Sequence, residues 1–285
     1  MIKVGIVDSG INESALRSRV VHRSCIDKEE NYDINGHGTM CAYIIEKYSQ
    51  QEIVFYSYKI FDKELVATKN SVKKALKYAV MDKVDILNLS LSINSGEDKS
   101  IEVLVQGLNE MGTQIIASKS KTGEITLLDT IDNIVIVDGD DNLEEDYVNC
   151  SLNRVRCSRE AILCKYYKNC YAFFGGNSKA TALYTALKLR DEDTYIEETI
   201  ENPDVSESDM EEMCSYLSRM MNISVKSIMH CDNWEMLGNY FEVELIKCLV
   251  KLLGDKYIDS KTIYYRCVNN YRALKELLGG NKDCI

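Results

Sequence analysis

The chain has 285 residues, room for one large or two modest domains at ~150 residues each, and its 45% hydrophobic content supports real cores and excludes disorder throughout. With 45 acidic against 34 basic residues, net charge −11, it would repel a phosphate backbone, which argues against nucleic acid as a partner. No window approaches ~18 uninterrupted apolar residues, so no membrane span is expected.

Eleven cysteines would suit a disulfide framework. The N-terminal MIKVGIVDSG, however, lacks the basic start, long apolar segment and small-residue cleavage site of a secretory signal. The expectation is therefore reduced thiols and a cytoplasmic location.

Residues 2–7 (IKVGIV), 53–58 (IVFYSY), 85–91 (DILNLSL), 114–117 (QIIA) and 134–138 (IVIVD) read as short buried strands. Helical patterns lie between most of them, with Asn70 as the expected cap of SVKKALKYAVM and a second helix over Ser100–Met111. Strand alternating with helix predicts an α/β fold with a mostly parallel sheet flanked by helices. In such sheets, sites gather at the carboxyl ends of strands.

The stretch DEDTYIEETIENPDVSESDMEE (191–212) carries a dense negative run and the chain's single proline, Pro203, and marks a domain boundary. Beyond it the strands disappear. Ser208 and Glu211 form an expected capping box, and Met213, Tyr216, Leu217, Met220 and Met221 fall on one helical face. FEVELIKCLVKLLG (241–254) and VNNYRALKELLGG (268–280) give further helices, each stopped by glycine. The expected organisation is a domain over 1–195 followed by a small all-α domain over 203–285.

Three stretches could carry chemistry: Asp8-Ser9-Gly10 at the end of the first strand, NGHGTMCAYII with His37 between glycines, and FFGGNSKATALYTAL with Ser178 after a glycine turn. Acyl transfer to serine needs a hydroxyl, a base to take its proton and a buried carboxylate to fix the imidazole tautomer. Asp8, His37 and Ser178 supply that set. Taken singly, each has a plainer role: a strand-end aspartate can be a cap, a histidine can be a satisfied structural one, and Ser178 can be a helix N-cap.

Together these motifs resemble the subtilisin-like serine proteases. VGIVDSGI matches the family's aspartate motif, His37-Gly38-Thr39 its histidine motif, and Gly176-Asn177-Ser178-Lys179-Ala180-Thr181 its serine motif, while DILNLSLS resembles the Asn-x-Ser-Leu segment beside the substrate cleft. The resemblance covers about residues 2–190 and implies Ser178 as nucleophile, His37 as general base and then acid, and Asp8 as orienting carboxylate. It also implies an extended polypeptide substrate lying along Ser90, Leu91, Ser92, Ile93 and Asn94. No cofactor is implied.

The chain departs from the family where an asparagine normally completes the oxyanion hole. GTQIIASKSKTG places Lys121 at that position by counting, with Ser118 and Ser120 nearby, so these three are the oxyanion candidates. Ser92 replaces a cleft glycine and should narrow the cleft, and Ala182 replaces a proline. There is no expected room for an N-terminal prodomain, and no Asp-rich loop with calcium-ligand spacing.

The cysteines at 150, 157, 164 and 170 lack the C-x₂-C or C-x₄-C spacing of a zinc site, and ILCKYYKNCYAFF reads as a hairpin feeding the serine turn, so no metal is expected. The C-terminal helices weakly resemble an acyl-carrier domain, but Gly238, Asn239, Tyr240 and Phe241 offer no serine for pantetheine. That domain is expected to dock a protein partner.

The leading expectation is a serine endopeptidase for limited processing of a dedicated polypeptide. The alternative is a catalytically impaired scaffold that keeps the peptide cleft. A nucleotide-binding reading of Asp8 fails for want of a G-x-x-x-x-G-K or G-x-G-x-x-G loop.

Overall fold

The structure, a computed structural model, describes residues 1–26, 32–49, 51–61, 67–93, 98–144, 148–151, 154–190 and 205–279. In chain order its main strands are β1 (Ile2–Asp8), β2 (Arg19–Ser24), β3 (Ile53–Lys59), β4 (Ile86–Leu89), β5 (Gln114–Ser118), β6 (Ile134–Asp140), β7 (Asn149–Ser151) and β8 (Arg154–Ser158). They form one eight-stranded sheet in the order β2-β3-β1-β4-β5-β6-β8-β7. Neighbouring strands run parallel, except that β7 is antiparallel to β8.

The apolar runs end up in the middle because a parallel sheet covered by helices must be buried on both faces. Side-chain alternation then divides the covering. Leu87 and Leu89 of β4 join a core with Val72 and Leu76 of α2 (Lys69–Asp82) and Ile101 and Leu108 of α3 (Lys99–Glu110). Asn88, between them, points to the other face, where its Nδ2 donates to Thr185 Oγ1 of α4 (Asn177–Leu187) at 2.8 Å. Helix α1 (His37–Ser49) packs beside α4.

Two expected caps move. Helix α2 begins at Lys69, so Asn70 lies inside its first turn, and Thr68 is the cap: Ser71 N donates to Thr68 Oγ1 and Thr68 N to Ser71 Oγ, both at 3.1 Å. Helix α5 (Glu207–Met221) likewise starts one residue before Ser208, and its capping box is Ser206 with Asp209 rather than Ser208 with Glu211. The buried stripe of α5 is Met210, Met213, Cys214 and Leu217, whereas Met220 faces solvent. In both helices several adjacent residues could cap, and the one that fits is fixed by which face must be buried.

Two further strands, β9 (Ile162–Tyr167) and β10 (Cys170–Phe174), pair as a hairpin whose two-residue turn has Asn169 at φ 54°. The chain divides into two compact units. The first comprises Met1–Glu160, Cys164–Cys170 and Phe174–Thr194, and the second Ala161–Leu163, Tyr171–Phe173 and Tyr195–Ile285.

Apart from its short β9 and β10 segments, the second unit is helical among the described residues, with α6 (Val225–Met229), α7 (Asn239–Leu253), α8 (Asp255–Ser260) and α9 (Tyr271–Leu278) following α5. Gly254 at φ 77° ends α7, and Gly279 follows α9. Trp234 anchors its core, fully buried, donating Nε1 to Ile228 O at 2.9 Å and packing on Phe241.

Candidate active site

The strand order reverses at β1: β3 lies on one side of it and β4 on the other. A crevice therefore opens at the carboxyl ends of β1 and β4. Asp8 ends β1 and the 90–93 segment follows β4, so two of the expected motifs flank this point.

Asp8 is 1% exposed. Ser9 donates to Asp8 Oδ1 from its backbone N at 2.7 Å and from its hydroxyl at 3.1 Å. His37 Nδ1 lies 2.8 Å from Asp8 Oδ1 and 2.9 Å from Oδ2. This contact favours the tautomer with its proton on Nδ1 and leaves Nε2 as the basic atom. Gly38 permits the approach, since a Cβ there would lie 2.3 Å from Gly10 O and 2.9 Å from Asp8 Cβ.

The turn that delivers His37 is held by Asp33, a residue the motif reading did not single out. Its Oδ1 accepts from Asn35 N and Gly36 N, and its Oδ2 accepts from Thr39 N at 2.9 Å and Thr39 Oγ1 at 2.6 Å. A carboxylate here satisfies free N–H groups at the start of α1. Asn12 ties the turn to the hairpin, its Nδ2 donating to Asp33 O and Tyr166 O. The sequence signal is an aspartate two residues before Asn35-Gly36, an Asx-turn pattern.

At the serine turn Gly176 adopts φ 83°, ψ −169°, a conformation open only to glycine, and it is the N-cap of α4. Ser178 is therefore the second helical residue and not the cap. The neighbour Asn177 locks the turn: Gly139 N donates to its Oδ1 at 3.1 Å and its Nδ2 donates to Lys119 O at 3.0 Å. Lys179, fully buried, sends its ammonium to Ser158 O and Oγ, each at 3.2 Å.

Ser90 joins the two halves. Its hydroxyl donates to Asn88 Oδ1 at 2.8 Å, Cys41 Sγ of α1 lies 3.6 Å from that hydroxyl, and Ser178 Oγ lies 3.5 Å from its carbonyl oxygen. Among the described residues the Ser178 hydroxyl bonds to Ser90 O and not to His37. Catalytic contacts of this kind are commonly loose without substrate.

The remaining candidates separate. Ser92 is exposed, while Leu91 and Ile93 are buried in the core and Ile93 O accepts from Leu127 N at 3.0 Å. Asn94 lies outside the described residues. Ser118, at the end of β5, is buried with its hydroxyl on Lys119 O, Ser120 Oγ is engaged with Thr122 Oγ1 at 3.0 Å, and Lys121 is exposed.

Burial opposes a charge on His37, but the Asp8 carboxylate outweighs it and raises the imidazole above its ordinary 6.5. Burial pushes the Cys41 thiol up, so it stays protonated. Asp8, His37 and Cys41 are close enough to share a metal ion, but the short Asp8–His37 contact already occupies the carboxylate. The cysteines within the described residues are free thiols, and no helix there is long and apolar enough to cross a membrane.

No family model matches the chain. It is 23% identical over 202 residues to subtilisin DY of Bacillus licheniformis, covering 63% of this chain and 72% of that protein. It is 26% identical over 210 residues to the minor extracellular protease Epr of Bacillus subtilis, covering 67% of this chain and 32% of that protein. Among solved structures, sphericase superposes with a TM-score of 0.55 at 18% identity, covering 66% of this chain and 76% of that one. A lanthipeptide protease gives 0.54 at 17% identity, covering 65% and 71%. The prenylagaramide maturation protease PagA gives 0.51 at 17% identity, covering 65% and 72%.

Proposed function

We propose, from the premise that this chain carries a subtilisin-like serine peptidase domain, that it is an endopeptidase acting through Ser178, His37 and Asp8 on a dedicated polypeptide in the cytoplasm. The observation that carries the reading is the buried Asp8 carboxylate on His37 Nδ1 at 2.8 Å, in the same unit as a glycine turn that sets Ser178 in the first turn of α4. His37 Nε2 would take the proton of the Ser178 hydroxyl as the oxygen attacks the scissile carbonyl, and return it to the leaving amine. A water activated by the same imidazole would then hydrolyse the acyl-enzyme. Asp8 would orient the ring and stabilise its charged form.

Limited processing is supported by two structures of similar fold, one described as a lanthipeptide protease and the other as a prenylagaramide maturation protease. The alternative of a catalytically weak scaffold is favoured by one observation: Lys121, at the position of the oxyanion asparagine, is exposed. Labelling with a fluorophosphonate probe tests between them. An adduct mapped to Ser178 and lost in His37→Ala supports the peptidase. An unlabelled but folded protein would support the scaffold.

A further inference from the structure

The helical unit presents an apolar stripe that its own fold does not cover. Met236, in the Trp234–Leu237 turn, is 82% exposed, and Tyr240 at 59% and Val243 at 49%, three residues apart, share one face at the start of α7 just after it. Beside it lies a shallow depression floored by Trp234, Phe241 and Leu245 and edged by Tyr265.

Two carboxylates, Glu235 and Glu242, rim the depression, where burial first and then these two charges push the Tyr265 hydroxyl up. Among the described residues neither forms an ion pair. Partial burial and then the neighbouring Glu235 raise the carboxyl of Glu242, which marks the two acidic side chains as close neighbours on this rim. An acidic rim repels an anionic lipid surface, and two copies meeting face to face would oppose like charges.

We propose that this face docks a short polypeptide segment with apolar residues at helical spacing flanked by lysine or arginine. Its apolar side chains would cover Met236, Tyr240 and Val243, and its cations would answer Glu235 and Glu242. The assignment is independent of peptidase activity.

The chain has a single tryptophan, and Trp234 forms part of the floor, so its fluorescence reports on this site alone. The probe is a synthetic amphipathic peptide of about two turns with leucine at helical spacing, lysine on the flanks and no aromatic residue, titrated into the full chain. A saturable change in emission is expected, weakened about tenfold or more in the Glu235→Gln/Glu242→Gln variant and in Tyr240→Ser/Val243→Ser. A counterpart with glutamate in place of lysine should bind at least about tenfold more weakly.

Equal binding of the two peptides, or no change with either, would overturn the proposal. So would concentration-dependent dimerisation abolished by the Tyr240→Ser/Val243→Ser pair, which would give the face to a second copy. Fluorophosphonate labelling of the same variants should stay at the wild-type level, which separates failure of docking from failure of the peptidase reading.

Discussion

His37 Nδ1 faces both carboxylate oxygens of Asp8, at 2.8 and 2.9 Å, from the first residue of α1, and the turn leading into that helix is anchored on a different carboxylate, Asp33. The ring's orientation and charge on one side, and its position on the other, are thus supplied by separate residues. The Asp8 contact sets the tautomer and proton affinity of the ring, while the Asp33 bonds set where the ring is.

A pH dependence follows from the first of these. The raised proton affinity of His37 means that a base-competent neutral ring appears only above its ordinary 6.5. The rate of fluorophosphonate acylation should therefore rise with pH along a limb lying above 6.5. In Asp8→Asn the limb should move down while the rate at its plateau falls, by up to ~10⁴, the loss that follows in a serine protease when the triad aspartate becomes asparagine. A limb unmoved by Asp8→Asn would remove Asp8 from the titration.

Gly38 sets a steric limit on the same contact. A methyl group there would lie 2.3 Å from Gly10 O, a backbone atom, so neither side can yield cheaply. Gly38→Ala should push α1 away from β1 and abolish labelling of Ser178, with a lower melting temperature. Wild-type labelling in this variant would mean that His37 and Asp8 need not be so close.

Asp33→Ala should remove four hydrogen bonds at once and leave the N–H groups of Asn35, Gly36 and Thr39 without this acceptor, a loss of about 3 kcal/mol or more when the acceptor is a charge. Urea titration would measure it. Asp33→Asn keeps one acceptor oxygen and should retain part of the stability. A change within ~0.5 kcal/mol for the alanine variant would show that other contacts hold the loop.

Much of this arrangement was legible in the sequence. Five central strands announce themselves because a strand buried on both faces must be apolar throughout, whereas β2 (RVVHRS) and β8 (RVRCS) carry arginine toward the flanks of the sheet and gave no such run. Asp8, His37 and Ser178 were visible as side chains with characteristic neighbours. Asp33 was legible only as an Asx-turn pattern with its near neighbours Asn35 and Gly36, and the anchoring role of Asn177 was not legible at all, because it binds the backbone N–H of Gly139 and the C=O of Lys119, far off in sequence. A short-range pattern cannot reveal a partner whose position depends on the assembled sheet.

Lys121 gives the sharpest test of how the chain manages charge on the substrate carbonyl. Its exposure means that its ammonium is solvated and free to move, so Lys121→Ala should lower the acylation rate by less than about tenfold. A dedicated, preorganised donor is worth ~10²–10³ in turnover, the value known for the subtilisin asparagine. Lys121→Asn should therefore raise the rate by about tenfold or more, because a shorter amide would sacrifice less order to reach the same oxygen. If Lys121→Ala instead costs the full factor, the lysine itself closes over the substrate and is the oxyanion donor. If neither variant changes the rate, stabilisation comes from backbone N–H groups at the start of α4, where Ser178 already lies one residue inside the helix.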